Sequence, residues 1–145
     1  MIFELLALLC TAFFAGAAVY VTFVEHPARL ACGPAVALTQ WRPSYRRAAV
    51  MQASLAVLAL VSAVTAYAQG RSIAVLVGGL LVGAVVPFTL LVIRPTNKLL
   101  EDPGRDSHPE ETVALLARWG RLHGVRTLLS AAALAVLLGH VFGYL

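Results

Sequence analysis

The stretch Ser72–Ile93, S-I-A-V-L-V-G-G-L-L-V-G-A-V-V-P-F-T-L-L-V-I, carries no charge. It matches the roughly 20 apolar residues that cross about 30 Å of hydrocarbon as a helix. Three more runs of this kind stand in the chain: Leu5–Ala28, broken only by Glu25 and His26, then Ala48–Ala68 and Thr127–Leu145. A water-soluble domain of 145 residues cannot bury four such segments. The reading is all-α: an integral membrane four-helix bundle, antiparallel, multi-pass, with the lipid bilayer as solvent. It uses the whole chain as one domain, with spans at about 3–26, 46–68, 72–94 and 120–143. A short amphipathic helix over about 108–121 leads into the last span.

Composition agrees. The chain is 60% hydrophobic and 12% charged, with mean hydropathy +0.84, whereas a soluble domain carries about 25% charged residues. Cys10 and Cys32 lie on different elements without a C-x-x-C, which excludes a disulfide-relay enzyme and a cysteine zinc cluster. The early charge is Glu4 rather than a basic cluster, so Met1–Val24 reads as a retained span and not a cleaved signal.

The net charge of +4 flanks the spans and implies no nucleic acid. Of the eleven Lys and Arg residues, ten fall at the ends of spans 1 and 3 and the starts of spans 2 and 4: Arg29, Arg42, Arg46, Arg47, Arg94, Lys98, Arg105, Arg118, Arg121 and Arg126. Arg71 alone lies on the other side. By the positive-inside rule the long loops face the cytoplasm of a plasma (inner) membrane and both termini lie outside.

Punctuation sets the loops. Gly33-Pro34 breaks the first loop, and Pro43 suits the first turn of span 2. Pro95-Thr96-Asn97 reads as a helix stop, and Pro87 as a kink inside span 3. Ser107 and Glu110 have capping-box spacing, so a helix starts there and runs on into span 4. The halves look alike: Glu25-His26-Pro27 parallels Arg94-Pro95-Thr96-Asn97, and Trp41…Tyr45 parallels Trp119…His123. A parallel repeat about an axis along the membrane normal gives this pattern. Gly79-x-x-x-Gly83 and Gly120-x-x-x-Gly124 allow close helix packing, within the bundle or in an oligomer.

Alternation of the helices brings a polar set to the cytoplasmic mouth: Glu25 and His26; Trp41 and Tyr45; Thr89, Arg94, Thr96 and Asn97; Trp119, His123 and Arg126. Trp119, His123, Arg126 and Ser130 recur at i, i+4, i+7 and i+11, one helix face, which should point inward. Each has a plainer reading. The arginines can snorkel, Trp41 can sit in an interfacial belt, and the histidines can bond backbone carbonyls. Ionisable groups converging inside a membrane are nonetheless functional candidates. His140 belongs to the opposite face.

Glu25-His26-Pro27-Ala28-Arg29, Trp41, Pro87-Phe88-Thr89, Pro95-Thr96-Asn97-Lys98-Leu99-Leu100 and Trp119-Gly120-x-x-His123-x-x-Arg126 resemble the anthrone-oxygenase-like family of small four-helix membrane proteins. The resemblance implies a monooxygenase-type oxidoreductase acting on a small hydrophobic aromatic molecule, an anthrone or hydroquinone. In that chemistry His123 is the base and Arg126 its charge partner, with His26 the alternative base and Glu25 an orienting group. Trp41, Tyr45, Thr89, Arg94, Asn97 and Trp119 then bind substrate. Two other classes stay open. One is a metal protein holding zinc, copper or iron through Glu25, His26, Asn97 and His123. The other is a non-enzymatic lipid or quinone binder, or an accessory subunit. Cysteines introduced at Ser107 and Tyr144 are expected to be labelled from opposite sides of the membrane by an impermeant maleimide; labelling of both from one side overturns the topology.

Overall fold

The computed structural model describes residues 1–145, except the side chains of Asp106 and Ser107. Four helices are each long and apolar enough to span a membrane: α1 Ile2–Ala31, α2 Pro34–Ala68, α3 Ile73–Glu101 and α4 Pro109–Val141. They pack in ring order, each on the next, with α4 closing on α1. The bundle is inside-out by soluble standards. Phe13, Phe23, Leu91 and Leu128 are at least 66% exposed, while Gln52, Asn97, His123 and Arg126 are buried. Such a surface belongs in lipid, and the chain is an integral membrane protein.

The helices are longer than the apolar runs. Only Cys32 and Gly33 separate α1 from α2, with Gly33 at φ 84° making the turn. Pro34, not Pro43, occupies the first turn of α2, and Pro43 lies inside the helix. Pro95-Thr96-Asn97 does not stop α3, which continues to Glu101. The α pattern of α3 is instead interrupted at Ala84, three residues ahead of Pro87. A 3₁₀ turn, Pro103–Ser107, leads to α4, whose N-cap is His108. The expected Ser107 side-chain cap lies outside the described residues.

Proline is accommodated in the same way twice. An α-helical Pro lacks the N–H for the carbonyl four residues back, and its ring clashes with that carbonyl. In α1 a π turn, Val21–Glu25, precedes Pro27, and the His26 N–H reaches back to Val21 O. In α3 a π turn, Thr89–Ile93, precedes Pro95, and the Arg94 N–H reaches back to Thr89 O. The wider turn moves the obstructed carbonyl aside and inserts one extra residue. The inward series of α1 therefore runs Phe14, Ala18, Val21, His26, Arg29, with its step of five at the π turn. Regular spacing would have turned His26 and Arg29 off the core.

The core forms three layers. At the end holding both termini, Ala7, Ala63, Ala66, Val75 and Leu137 pack together. The middle layer joins Cys10, Phe14, Ala18, Ala56, Ala59, Val82, Val85 and Ala133. The third is bulkier, with Leu38, Trp41, Ile93, Leu100, Leu116 and Trp119. Glycine brings α3 close to its neighbours within the bundle: a Cβ on Gly79 would sit 2.2 Å from Ala63 Cβ, and one on Gly78 2.6 Å from Leu137 Cγ. Gly79→Ala should therefore destabilise by about 1–3 kcal/mol, and Ala63→Gly added to it should restore much of the loss. Thermal unfolding in detergent reads both.

Candidate functional site

Ten of the polar residues singled out in the sequence sit in or around the third layer, at the end of the bundle away from the termini. The face Trp119, His123, Arg126 and Ser130 does point inward, and all four are buried. Arg126 is the most demanding of them. It is 6% exposed, and its Nη2 donates to Gln52 Oε1 at 2.5 Å. Its guanidinium lies over the Phe14 ring, 5.6 Å from the centroid. No carboxylate among the described residues pairs with it. Its Nε and Gln52 Nε2 have no hydrogen-bond partner.

Beside this cation is an apolar cavity of about 150 Å³. Its walls are Phe14, Ala49, Ala53, Ala56, Val85, Val86 and Leu90, and its polar groups are Tyr45, Gln52, Thr89 and Arg126. Ala53 on α2 and Leu90 on α3 are exposed, so the cavity opens between these helices onto the lipid face. Thr89 heads the second π turn and donates to Val85 O at 2.7 Å. A small polar chamber adjoins, sharing Tyr45, Ala49, Gln52 and Arg126 and adding Arg29, Ser44, Trp119 and His123.

A chain of hydroxyls leads to His123. Thr127 Oγ1 lies 3.2 Å from Ala18 O and 3.3 Å from His123 O, and shares a hydrogen bond of 2.8 Å with Thr22 Oγ1 in which either hydroxyl can donate. Thr22 Oγ1 lies 3.1 Å from His123 Nδ1, and accepts from it or donates to it according to the imidazole tautomer. In the tautomer that carries its proton on Nδ1, the ring donates to Thr22 and Nε2 presents a lone pair.

Glu25 and Arg29 form a separate, neutralised unit. Arg29 Nη2 donates to Glu25 Oε1 at 2.5 Å, and Ser44 and Gln40 donate to the same oxygen at 2.7 and 2.8 Å. Arg29 is 5% exposed and lies over Trp119, 5.7 Å from the ring centroid. It lines the chamber; Glu25 does not, facing an outer groove with Arg29 and Gln40. Asn97 is buried and donates to Tyr45 Oη at 2.9 Å, so it supports a lining residue from behind. Trp41 is fully buried, not a belt residue, and stacks on Tyr45 with centroids 4.8 Å apart. Trp119 meets it edge-on, with ring centroids 5.8 Å apart. Arg94 is exposed and lines neither the cavity nor the chamber. His140 is at the far end, with Nε2 3.4 Å from Glu4 Oε1.

His26 is buried against Trp119 and Gly120. A Cβ on Gly120 would lie 2.6 Å from His26 Nε2, so this glycine makes room for the ring, not for a helix. Gly124 has open space where a Cβ would stand. Among the described residues no three His, Cys, Asp or Glu side chains come together to hold a metal ion, and Glu25, His26, Asn97 and His123 do not form one ligand shell. The sequence reading overlooked Gln52, Arg29 as a site residue, and Thr22. Gln52 had a signal: it is the one amide within the apolar run Ala48–Ala68.

Together these features define a membrane bundle with a lipid-side cavity that ends on a buried cation and adjoins a chamber lined by an imidazole. The family model described as Anthrone oxygenase matches residues 41–136, and the chain belongs to that family. The comparisons with curated proteins and with solved structures returned no match. Gln52→Leu should cost about 1–3 kcal/mol by leaving Arg126 without its acceptor, and Gln52→Leu with Arg126→Met should recover most of it. Unfolding of the two single variants and the double in detergent closes the cycle.

Proposed function

We propose that the protein is a membrane-embedded oxygenase of flat, weakly acidic aromatic molecules of the anthrone or hydroquinone type. One observation carries the reading: Arg126, buried and without a carboxylate, ends an apolar cavity, and His123 lines the chamber that adjoins it. A cation in this position favours a ligand that becomes an anion only once bound. The family supports the same chemistry. The positive residues then lie in the cytoplasm and both termini outside, as the ten-to-one division of Lys and Arg argues.

The substrate enters from the bilayer between α2 and α3. Its apolar body lies on Phe14, Val85 and Leu90, and its carbonyl or phenol oxygen meets Arg126. His123 Nε2 takes a proton from the activated CH₂, and charge moves onto the oxygen held by the guanidinium. The carbanion passes one electron to O₂; the resulting radicals join in a C–O bond. The peroxide anion takes a proton back from the imidazolium. Loss of water breaks the O–O bond and the remaining C–H bond. The balance is R₂CH₂ + O₂ → R₂C=O + H₂O. Glu25 holds Arg29, and Asn97 holds Tyr45, at the edge of this space.

His123→Ala should lower O₂ consumption with an anthrone by about 10²–10⁴-fold, with a small change in melting temperature. Arg126→Lys should impair turnover strongly, because a point charge does not reproduce a planar fork of donors. Gln52→Glu should silence the site while stabilising the fold, by giving Arg126 the anion it lacks. His140→Ala should be silent. Full activity in the His123 variant rejects the base. Tight binding of the anthrone without O₂ uptake makes the protein a binder instead.

A further inference from the structure

We infer that His26 is a proton relay for His123, connecting the buried base to the groove between α1 and α4; this rests on the oxygenase reading above. That groove, of about 360 Å³, is lined by Thr22, His26, Trp119, Gly120 and His123 among others. The chamber beside Arg126 is also lined by His123 but not by Thr22 or His26. His123 and Trp119, which line both, therefore form the partition between the two spaces. His123 Nδ1 is the groove-side nitrogen, since Nδ1 bonds Thr22. Nε2 is the opposite edge of the ring.

His26 is 7% exposed, and neither ring nitrogen completes a hydrogen bond; the Leu116 backbone is nearby without meeting hydrogen-bond geometry. An imidazole buried without partners costs stability. The chain nevertheless builds for it: the π turn rotates His26 inward, and Gly120 clears its space. Both imidazoles rest on the same indole, with Trp119 centroids 5.1 Å from His26 and 4.9 Å from His123. The groove volume admits several waters at about 30 Å³ each.

The step is a proton transfer with no net redox change. His123 gains a proton from substrate carbon at Nε2 and loses one from Nδ1 through the Thr22 hydroxyl, which turns from Thr127 to the groove. Both His26 nitrogens are buried as the ring stands, so the ring turns one of them to the groove, takes that proton from water there and releases it to solvent at the groove mouth. Without the relay, fewer of the abstracted protons reach solvent before they return to carbon or go to the peroxide. The relay is thus visible as exchange with solvent, separately from turnover.

The experiment uses the full-length protein in detergent with an anthrone deuterated at its CH₂. Loss of deuterium to H₂O is followed without O₂, and O₂ consumption is measured in parallel. For His26→Ala the ratio of exchange to turnover should fall at least tenfold, with millimolar imidazole restoring exchange through the groove. Gly120→Ala, which pushes the His26 ring aside, should lower the same ratio in a protein that keeps the His26 side chain. An unchanged ratio in both variants overturns the relay, as does a fall in exchange and turnover in step with melting temperature and without imidazole rescue. Turnover without any exchange in the unaltered protein overturns the relay and leaves the oxygenase standing; neither turnover nor exchange above the detergent blank overturns both.

Discussion

The guanidinium of Arg126 is the constraint around which the rest of the bundle is arranged. Placing an arginine inside a membrane helix costs about 2.5–3.5 kcal/mol on insertion scales. Gln52 and the Phe14 ring offset part of this through one short hydrogen bond and the π face of the ring. Neither neutralises the charge. A bundle selected only for stability would have placed a carboxylate opposite, as it did for Arg29 with Glu25. The two buried arginines thus differ in kind: one is closed within an ion pair, the other borders a cavity and meets no carboxylate among the described residues.

The cavity exists because the middle layer is poor in bulk. Alanine at 49, 53 and 56 repeats at i, i+4 and i+7 on α2 and faces the gap toward α3. Below it, glycine and alanine bring α2 and α3 together at Gly79 and Ala63. Above it, Trp41, Tyr45 and Trp119 pack as a rigid aromatic block. The helices are held tightly at both levels, so a lateral opening between them can persist without collapse of the core. In lipid there is no hydrophobic penalty for that opening, since the bilayer itself wets an apolar wall.

Both halves use the same backbone device at the same place. Each π turn lies just before a proline and hands the following turn of helix to the interior. In α1 this carries His26 and Arg29 inward; in α3 it carries Thr96 and Asn97. The two halves thus share a backbone device, while their side chains differ: an ionic unit on one side and a neutral amide–phenol pair on the other. The opposite end of the bundle shows only tethering: Glu4 receives the amino terminus at 3.0 Å, Arg71 at 3.6 Å and His140 at 3.4 Å.

Hydropathy alone determined that four helices cross a membrane, because uncharged runs of that length have no other stable solvent. Periodicity alone determined that Trp119, His123, Arg126 and Ser130 share an inward face, because α4 is regular there and spacing converts directly to direction. The same arithmetic failed at Pro27 and Pro95. Proline read from sequence signals an ending, whereas a π turn lets the helix continue with its face shifted by a residue. Hence the inward placement of Arg29 and the helical course through Pro95-Thr96-Asn97 were decided by the fold. So were the pairs. Whether Arg126 meets a carboxylate or Gln52, whether Trp41 faces headgroups or Tyr45, and whether a glycine serves a helix or an imidazole depend on which helix is adjacent and at what depth. One-dimensional spacing carries the direction of a side chain within its own helix, but not the identity of what lies across from it.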